Sequence, residues 1–229
     1  MAQYRHELKY HVSQAEIILL QSRLRPIMHE DSHVSKSGSY LVRSLYFDDY
    51  MNQCYYDNEN GTDPREKFRI RIYQHSTERI LLECKRKERG KTLKTSCPLT
   101  RTQAESLMNH TMPVLDNQAH LLRKMALQMQ TMLLHPVIIV EYERIPFIYS
   151  MGNVRVTFDM NLSSSSDVGS FLSEEVSKRP VMPQGQHLME VKYDEFLPDY
   201  IYQALNLGVM QQTAFSKYYI CRRHSLKEG

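Results

Sequence analysis

Cysteine is scarce in this chain. The four thiols, Cys54, Cys84, Cys97 and Cys221, show no C-x-x-C spacing and no clustered histidine among 229 residues. A zinc site of thiolates is therefore not expected, and reduced, structural thiols are. Long apolar runs are missing too: nothing approaches the roughly 18 residues a spanning helix needs, and the start MAQYRHELKY has no signal-peptide core. The expectation is a cytoplasmic protein with no membrane insertion. There is no internal repeat and no glycine-rich Walker loop, so any phosphate must be held by side chains. Charge of one sign is also nearly absent in bulk. Against 26 Asp+Glu stand 29 Lys+Arg, a net +3 too small to imply nucleic acid or an anionic membrane as partner. Basicity can matter here only through placement.

Placement is what the sequence supplies. The hydrophobic fraction of 41% supports a true core, and 229 residues suit one domain spanning 1–229. LLECKRKERGKTLKTS, residues 81–96, begins like a buried strand and ends as a polycation. Several segments resolve that contrast by alternating with period two. In REKFRIRIY, Lys67, Arg69 and Arg71 share one parity and Phe68, Ile70 and Ile72 the other. Glu83, Lys85 and Lys87 lie opposite Leu82 and Cys84, and Arg5, Glu7 and Lys9 opposite Leu8, Tyr10 and Val12. Downstream, Tyr142 and Arg144 share a parity; Arg155, Thr157 and Asp159 oppose Val154, Val156 and Phe158; Glu190 and Lys192 oppose Met189, Val191 and Tyr193. YLVRSLYFDD, which carries Arg43, is a strand less cleanly partitioned. The pattern predicts an α+β fold: about eight antiparallel strands curled into a β-barrel tunnel, with helices packed on the outside against the apolar face.

Helix starts are legible as capping boxes. Ser13 with Glu16 opens SQAEIILLQSRL, and Thr102 with Glu105 is expected to open TQAESLMNH. QAHLLRKMALQMQTMLLH sets Leu121, Leu122, Met125, Met129 and Met132 at helical spacing, a core stripe. PDYIYQALNLG is a fourth helix, expected to close at Gly208. LSSSSDVGS reads as a flexible connection and SKRPVMPQGQ as an irregular link.

Taken together and in order, RHELKY (5–10), SLYFD (44–48), RIR (69–71), ECK (83–85), YER (142–144), RVTFD (155–159), EVK (190–192) and FSKY (215–218) resemble the vacuolar transporter chaperone (VTC) domain. Members of that family are polyphosphate polymerases of the triphosphate tunnel metalloenzyme (CYTH-like) superfamily. The resemblance implies a tunnel in which ATP lies along basic side chains with Mn²⁺ or Mg²⁺, its terminal phosphoryl group passing to inorganic polyphosphate. It implies that Lys9, Arg69, Arg71, Lys85, Arg144 and Lys217 hold phosphates, that Tyr142 and Ser216 hydrogen-bond them, and that Glu190 ligates the metal. Lys87, Lys192, Arg155 and Arg43 are further substrate-binding candidates, and Glu7 and Glu83 further metal candidates. Such a site needs positioned charge and a hard cation, and no nucleophilic side chain.

Two departures stand out. Arg5 occupies the place of the first glutamate in the Glu-x-Glu-x-Lys start common in the wider superfamily, and Ala214 stands near where some relatives carry a base. No phosphate-sensing domain or membrane anchor of larger relatives is expected.

Alternatives stay open. Glu7 and Glu83 serve equally well as counter-ions of neighbouring lysines, Asp159 as a partner of Arg155, and His6, His11 and His75 as packing or surface residues. Hydrolysis of triphosphate or polyphosphate in the same tunnel, and non-catalytic binding of polyphosphate or inositol phosphates, compete with synthesis. RNA fits less, since the basic faces lack the interleaved aromatics that stack bases.

Overall fold

Strand β1 (His6–Ser13) runs straight into helix α1 (Gln14–Leu24), because Ser13 ends one and caps the other. Its hydroxyl accepts the Glu16 N–H at 3.2 Å, and the Glu16 carboxylate accepts the Ser13 N–H at 2.7 Å, the expected box. The computed structural model describes residues 4–31, 38–115, 120–214 and 216–227. There follow β2 (His29–Glu30), β3 (Tyr40–Asp48), α2 (Gln53–Glu59), β4 (Arg65–Tyr73), β5 (Ser76–Glu88) and β6 (Lys91–Leu99). Two-residue turns join the last three strands. Both central residues have positive φ in each turn, Gln74 and His75 in one, Arg89 and Gly90 in the other. That matches the right-handed twist of the strands they connect.

Helix α3 (Arg101–Met108) is capped by Thr100 and Gln103, not by Thr102 and Glu105. β6 ends at Leu99, so the first extended residue able to cap is Thr100, and the expected box falls two residues too late. Helix α4 (His120–Thr131) buries Leu121, Leu122, Met125 and Met129, whereas Met132 lies past its end and is exposed. Gln118 and Ala119, assigned to this helix by sequence, lie outside the described residues. Then come β7 (His135–Tyr149), β8 (Val154–Ser165), β9 (Arg179–Pro180), β10 (Gln186–Tyr193), α5 (Asp199–Ala204) and α6 (Lys217–Lys227). The serine run expected to be a loop is half strand, since Leu162–Ser165 close β8. α5 stops four residues before Gly208: Leu205 caps it, and Asn206 turns left-handed at φ 55°.

The strands order as β1-β10-β8-β7-β3-β4-β5-β6, antiparallel throughout, with β2 added to β7 and β9 to β8. The sheet curls until its edges meet, where Arg5 and Thr92 exchange backbone hydrogen bonds of 3.0 and 3.1 Å. Two apolar layers cover the outside. Leu45, Phe47, Phe68, Ile70, Ile72 and Leu82 pack under α3 and α4, and Tyr10, Val12, Phe158, Met189 and Val191 under α1 and α5.

Helix α6 behaves differently. Its Tyr218 and Cys221 are fully buried against Val42, Tyr46, Val140, Tyr142 and Leu188, side chains of the concave face. Tyr218 donates its hydroxyl hydrogen to Asp48, whose two oxygens also accept the N–H groups of Asp49, Cys54 and Tyr55. One buried carboxylate thus fixes the start of α2 and the seat of α6 together. The helix fills one part of the concavity and leaves the rest to charged groups.

Candidate functional site

What remains of the concavity is a narrow cavity of about 60 Å³, walled by side chains from seven elements. β1 contributes Lys9; β4 contributes Lys67, Arg69 and Arg71; β5 contributes Lys85; β7 contributes Tyr142 and Arg144; β10 contributes Glu190 and Lys192; and the α6 start contributes Ser216 and Lys217. Tyr46 of β3 completes the wall. Pleating alone explains the convergence: alternate residues of each strand point inward, and the curl turns every inward face toward one axis.

Two buried carboxylates brace the cations. Glu83 takes Arg69 Nε at 2.7 Å, Arg69 Nη2 at 2.6 Å, Arg71 Nη1 at 3.7 Å and Lys94 Nζ at 2.9 Å. Asp159 accepts both forks of Arg144, at 2.6 and 2.8 Å, and Lys217 Nζ at 2.5 Å. The Tyr142 hydroxyl accepts from Arg71 at 3.3 Å and Arg144 at 3.2 Å, while Tyr46 accepts from Arg69 at 2.8 Å. Burial pushes the Glu83 carboxyl up, but Arg69, Arg71 and Lys94 prevail and hold it far below the usual carboxylate range. Burial likewise works against the Lys217 ammonium, yet Asp159 and Tyr142 raise it. This half of the site carries permanent charge.

The other half is titratable. Burial, then the neighbouring Lys85 ammonium, lowers Lys67 to about 7 and Lys9 to about 8. Burial lowers Lys192 to about 8 against the pull of Glu190 and Glu7. In the unfolded chain these groups return to the ordinary lysine range, so the unfolded state binds more protons between pH 7 and about 10.5. Their contribution to stability therefore rises as pH rises through that window. A bound polyanion reverses the balance, because it favours the charged amines. Tripolyphosphate binding is expected to take up protons near pH 8 and to weaken as pH increases. Calorimetry in two buffers of different ionisation enthalpy checks this, and identical observed heats in the two buffers would refute it.

Glu7 and Glu190 sit within this titratable half. Glu7 accepts from Lys85 at 2.7 Å and lies 3.8 Å from Lys192, and Glu190 lies 3.1 Å from Lys192. Burial would raise Glu7, but Lys85 leads the charges that bring it to about 2. Among the described residues no cluster of three or more His, Cys, Asp or Glu forms a metal cage. One feature nevertheless suits a hard cation. Thr157, cross-strand from Glu190, buries a hydroxyl with no hydrogen-bond partner among the described residues. Carboxylate and hydroxyl oxygens are the donors Mg²⁺ or Mn²⁺ accepts, with water and phosphate oxygens supplying the rest. Glu83 does not join them, being committed to its arginines.

The remaining expected site residues divide. Lys87 stands outside the narrow cavity, in a wider vestibule of about 310 Å³. Arg155 is bound to Asp31 at 2.9 Å and to the Tyr40 hydroxyl at 3.0 Å, so neither it nor Asp159 pairs with the other as expected. Arg43 is a correction. It shares its parity with Leu45 and Phe47 and is buried on the outer face, where Glu141 holds its Nε at 2.6 Å and the carbonyls of Phe171, Ser173 and Glu174 accept from its remaining nitrogens. Four of its five N–H donors are spent there, away from the cavity. Phe215 lies outside the described residues. Lys67 and Tyr46 line the site although neither is among the expected site residues; Lys67 shares the parity of Arg69 and Arg71, and Tyr46 lies within SLYFD.

A family model described as VTC domain matches residues 4–225. No curated protein sequence matches the chain. Among solved structures, a candidate adenylate cyclase from Bacillus halodurans is similar at 14% identity and a TM-score of 0.56, over 94% of this chain and 95% of its own. A candidate adenylyl cyclase from Hippeastrum, described as having a dominant triphosphatase activity, matches at 12% identity and 0.55, over 98% and 96%. The PH1819 protein of Pyrococcus horikoshii matches at 14% and 0.51, over 99% and 100%. At these identities the likeness is one of fold.

Proposed function

This chain belongs to the VTC domain family, and on that footing we propose that it is a polyphosphate polymerase, moving the terminal phosphoryl group of ATP to the end of a polyphosphate chain. The observation that carries the reading is the division of labour in the cavity. Cations converge from β1, β4, β5, β7, β10 and α6, while two of the buried carboxylates, Glu83 and Asp159, are spent as their counter-ions.

Phosphoryl transfer asks a protein mainly to align donor and acceptor and to neutralise the charge on the transferring oxygens. Arg69, Arg71 and Arg144 offer planar forks that suit phosphate, pre-set by Glu83, Tyr46, Ser44 and Asp159 so that little is reorganised on binding. Lys9, Lys85 and Lys217 add point charge, and the Tyr142 and Ser216 hydroxyls direct individual oxygens. Glu190, with Thr157 beside it, would hold a divalent cation, which would offset negative charge on the phosphates. An attacking polyphosphate end is already anionic at neutral pH and needs no proton removed. A water nucleophile does, and Glu83 and Asp159, held far down as carboxylates by arginines, are poor bases for it.

The test is direct. Purified protein is incubated with ATP and Mn²⁺, and products are separated by gel and by phosphorus NMR. Long-chain polyphosphate with ADP is expected. Glu190→Gln, which keeps size and removes charge, is expected to abolish turnover with the fold intact. Orthophosphate as the sole phosphate product would make the protein a hydrolase, and no turnover at all would leave a binding module.

A further inference from the structure

The narrow cavity and the vestibule share four residues, Lys9, Lys67, Lys85 and Ser216. Lys67 is the one at this junction whose surroundings ask for an anion. Its Nζ donates to Ser216 Oγ at 3.2 Å and stands 5.1 Å from the centre of the Tyr218 ring. Among the described residues no carboxylate pairs with it, whereas Lys85 has Glu7, Lys217 has Asp159 and Arg69 has Glu83. A half-buried ammonium given a hydroxyl and a π face but no counter-charge is left incompletely compensated. Ser216 is itself fixed, because its oxygen also accepts the Tyr219 N–H at 3.1 Å at the head of α6. Beyond the pair the vestibule widens between Lys87 and Arg65 on one side and Gln212, Thr213 and Ala214 on the other. The basic path therefore continues outward from Lys67.

We propose that Lys67, held against Ser216, extends the phosphate path from the tunnel into the vestibule, adding a contact that longer chains use most fully and so making affinity depend on chain length. The proposal rests on the reading of the cavity as a phosphate tunnel. The groups facing Lys67 are Lys9 of β1, Cys54 of α2, Arg69 of its own strand, Lys85 of β5 and Tyr218 of α6. Burial first, and then the Lys85, Lys9 and Arg69 cations, hold its ammonium near 7, and an arriving phosphate recharges it.

Calorimetric titration with pyrophosphate, tripolyphosphate and long-chain polyphosphate tests this on the intact protein. Lys67→Gln keeps a hydrogen-bonding partner for Ser216 and removes the charge. It is expected to weaken long-chain polyphosphate by roughly tenfold or more, and pyrophosphate by a clearly smaller factor. An unaltered far-ultraviolet circular dichroism spectrum certifies the fold. Lys67→Arg is expected to restore the long-chain affinity and to flatten its dependence on pH near 7. Equal losses at every length, or none at any, would overturn the extended path while leaving the tunnel standing. Failure of the unaltered protein to bind any of the three phosphates would instead remove the tunnel reading, and the extended path with it.

Discussion

Asp159→Ala is expected to lower thermal stability sharply, and tripolyphosphate to give most of it back. Asp159 is fully buried and is the shared counter-ion of Arg144 and Lys217, one from β7 and the other from α6. Removing one member of a buried ion pair leaves uncompensated charge at a cost of about 3 to 5 kcal/mol, and here two cations are stranded together. An added polyanion supplies the missing negative charge, so the rise in melting temperature on adding tripolyphosphate should be larger in the variant than in the unaltered protein. Acid gives a parallel test. Burial raises the Asp159 carboxyl, but Arg144 and Lys217 override it and bring it to about 2, below the ordinary aspartate range. Its stabilisation is therefore complete above roughly pH 4 and is lost as pH falls through about 2. Equal ligand-induced shifts in both proteins would mean that Arg144 and Lys217 do not meet the bound phosphate.

Arg71→Met is expected to produce the largest loss of phosphate binding and turnover among single cation replacements. Arg71 is buried, donates to Ser44 at 3.1 Å and to Tyr142 at 3.3 Å, and stays 3.7 Å from Glu83. It is thus oriented without being consumed by a close ion pair. Losing a charge-assisted contact in such a place costs about 1.5 to 3 kcal/mol, or roughly ten- to 150-fold in affinity. Arg86→Met is the matched control. Arg86 belongs to the same basic run as Lys85, but it faces outward to Glu66 at 3.3 Å and Glu88 at 3.0 Å. Affinity and turnover in that variant should stay within about twofold. Comparable losses in the two, at one ionic strength, would mean that a diffuse basic patch and not an enclosed site attracts the anion.

Those two arginines show why much of the architecture could be read before any fold was known. Alternation in REKFRIRIY and ECKRK decides which side chains share a face, and the apolar partners say which face goes to the core, so Arg69, Arg71 and Lys85 point inward and Arg86 outward. Arg43 escaped the rule because its strand is apolar on both faces. Its destination depends on Glu141 and three carbonyls about a hundred or more positions away, which no local pattern encodes. The same limit applies to α6. KYYICRRHSLK has no clean apolar stripe, since the helix lies in a lined concavity and takes its place from Asp48 and Asp159. At α3 two capping boxes overlap in sequence, and the end of β6 chooses between them. Lys67 illustrates the converse, a residue whose parity was plain but whose importance appears only once Ser216 is brought beside it.

The order of the strands also bears on how the protein is made. β1 pairs along its length with β10, His6 lying opposite Tyr193 and Ser13 opposite Gln186, so β1 has its main neighbour only after residue 193 has left the ribosome. Pairings this distant are slow to form, and the exposed edge left waiting invites wrong partners. Lys9 and Glu190 face each other across that same late-closing seam, and Lys217 arrives later still. A nascent or interrupted chain therefore holds the basic strands β4 and β5 without the elements that enclose them, and would meet polyanions as an adhesive surface before it could act on them selectively.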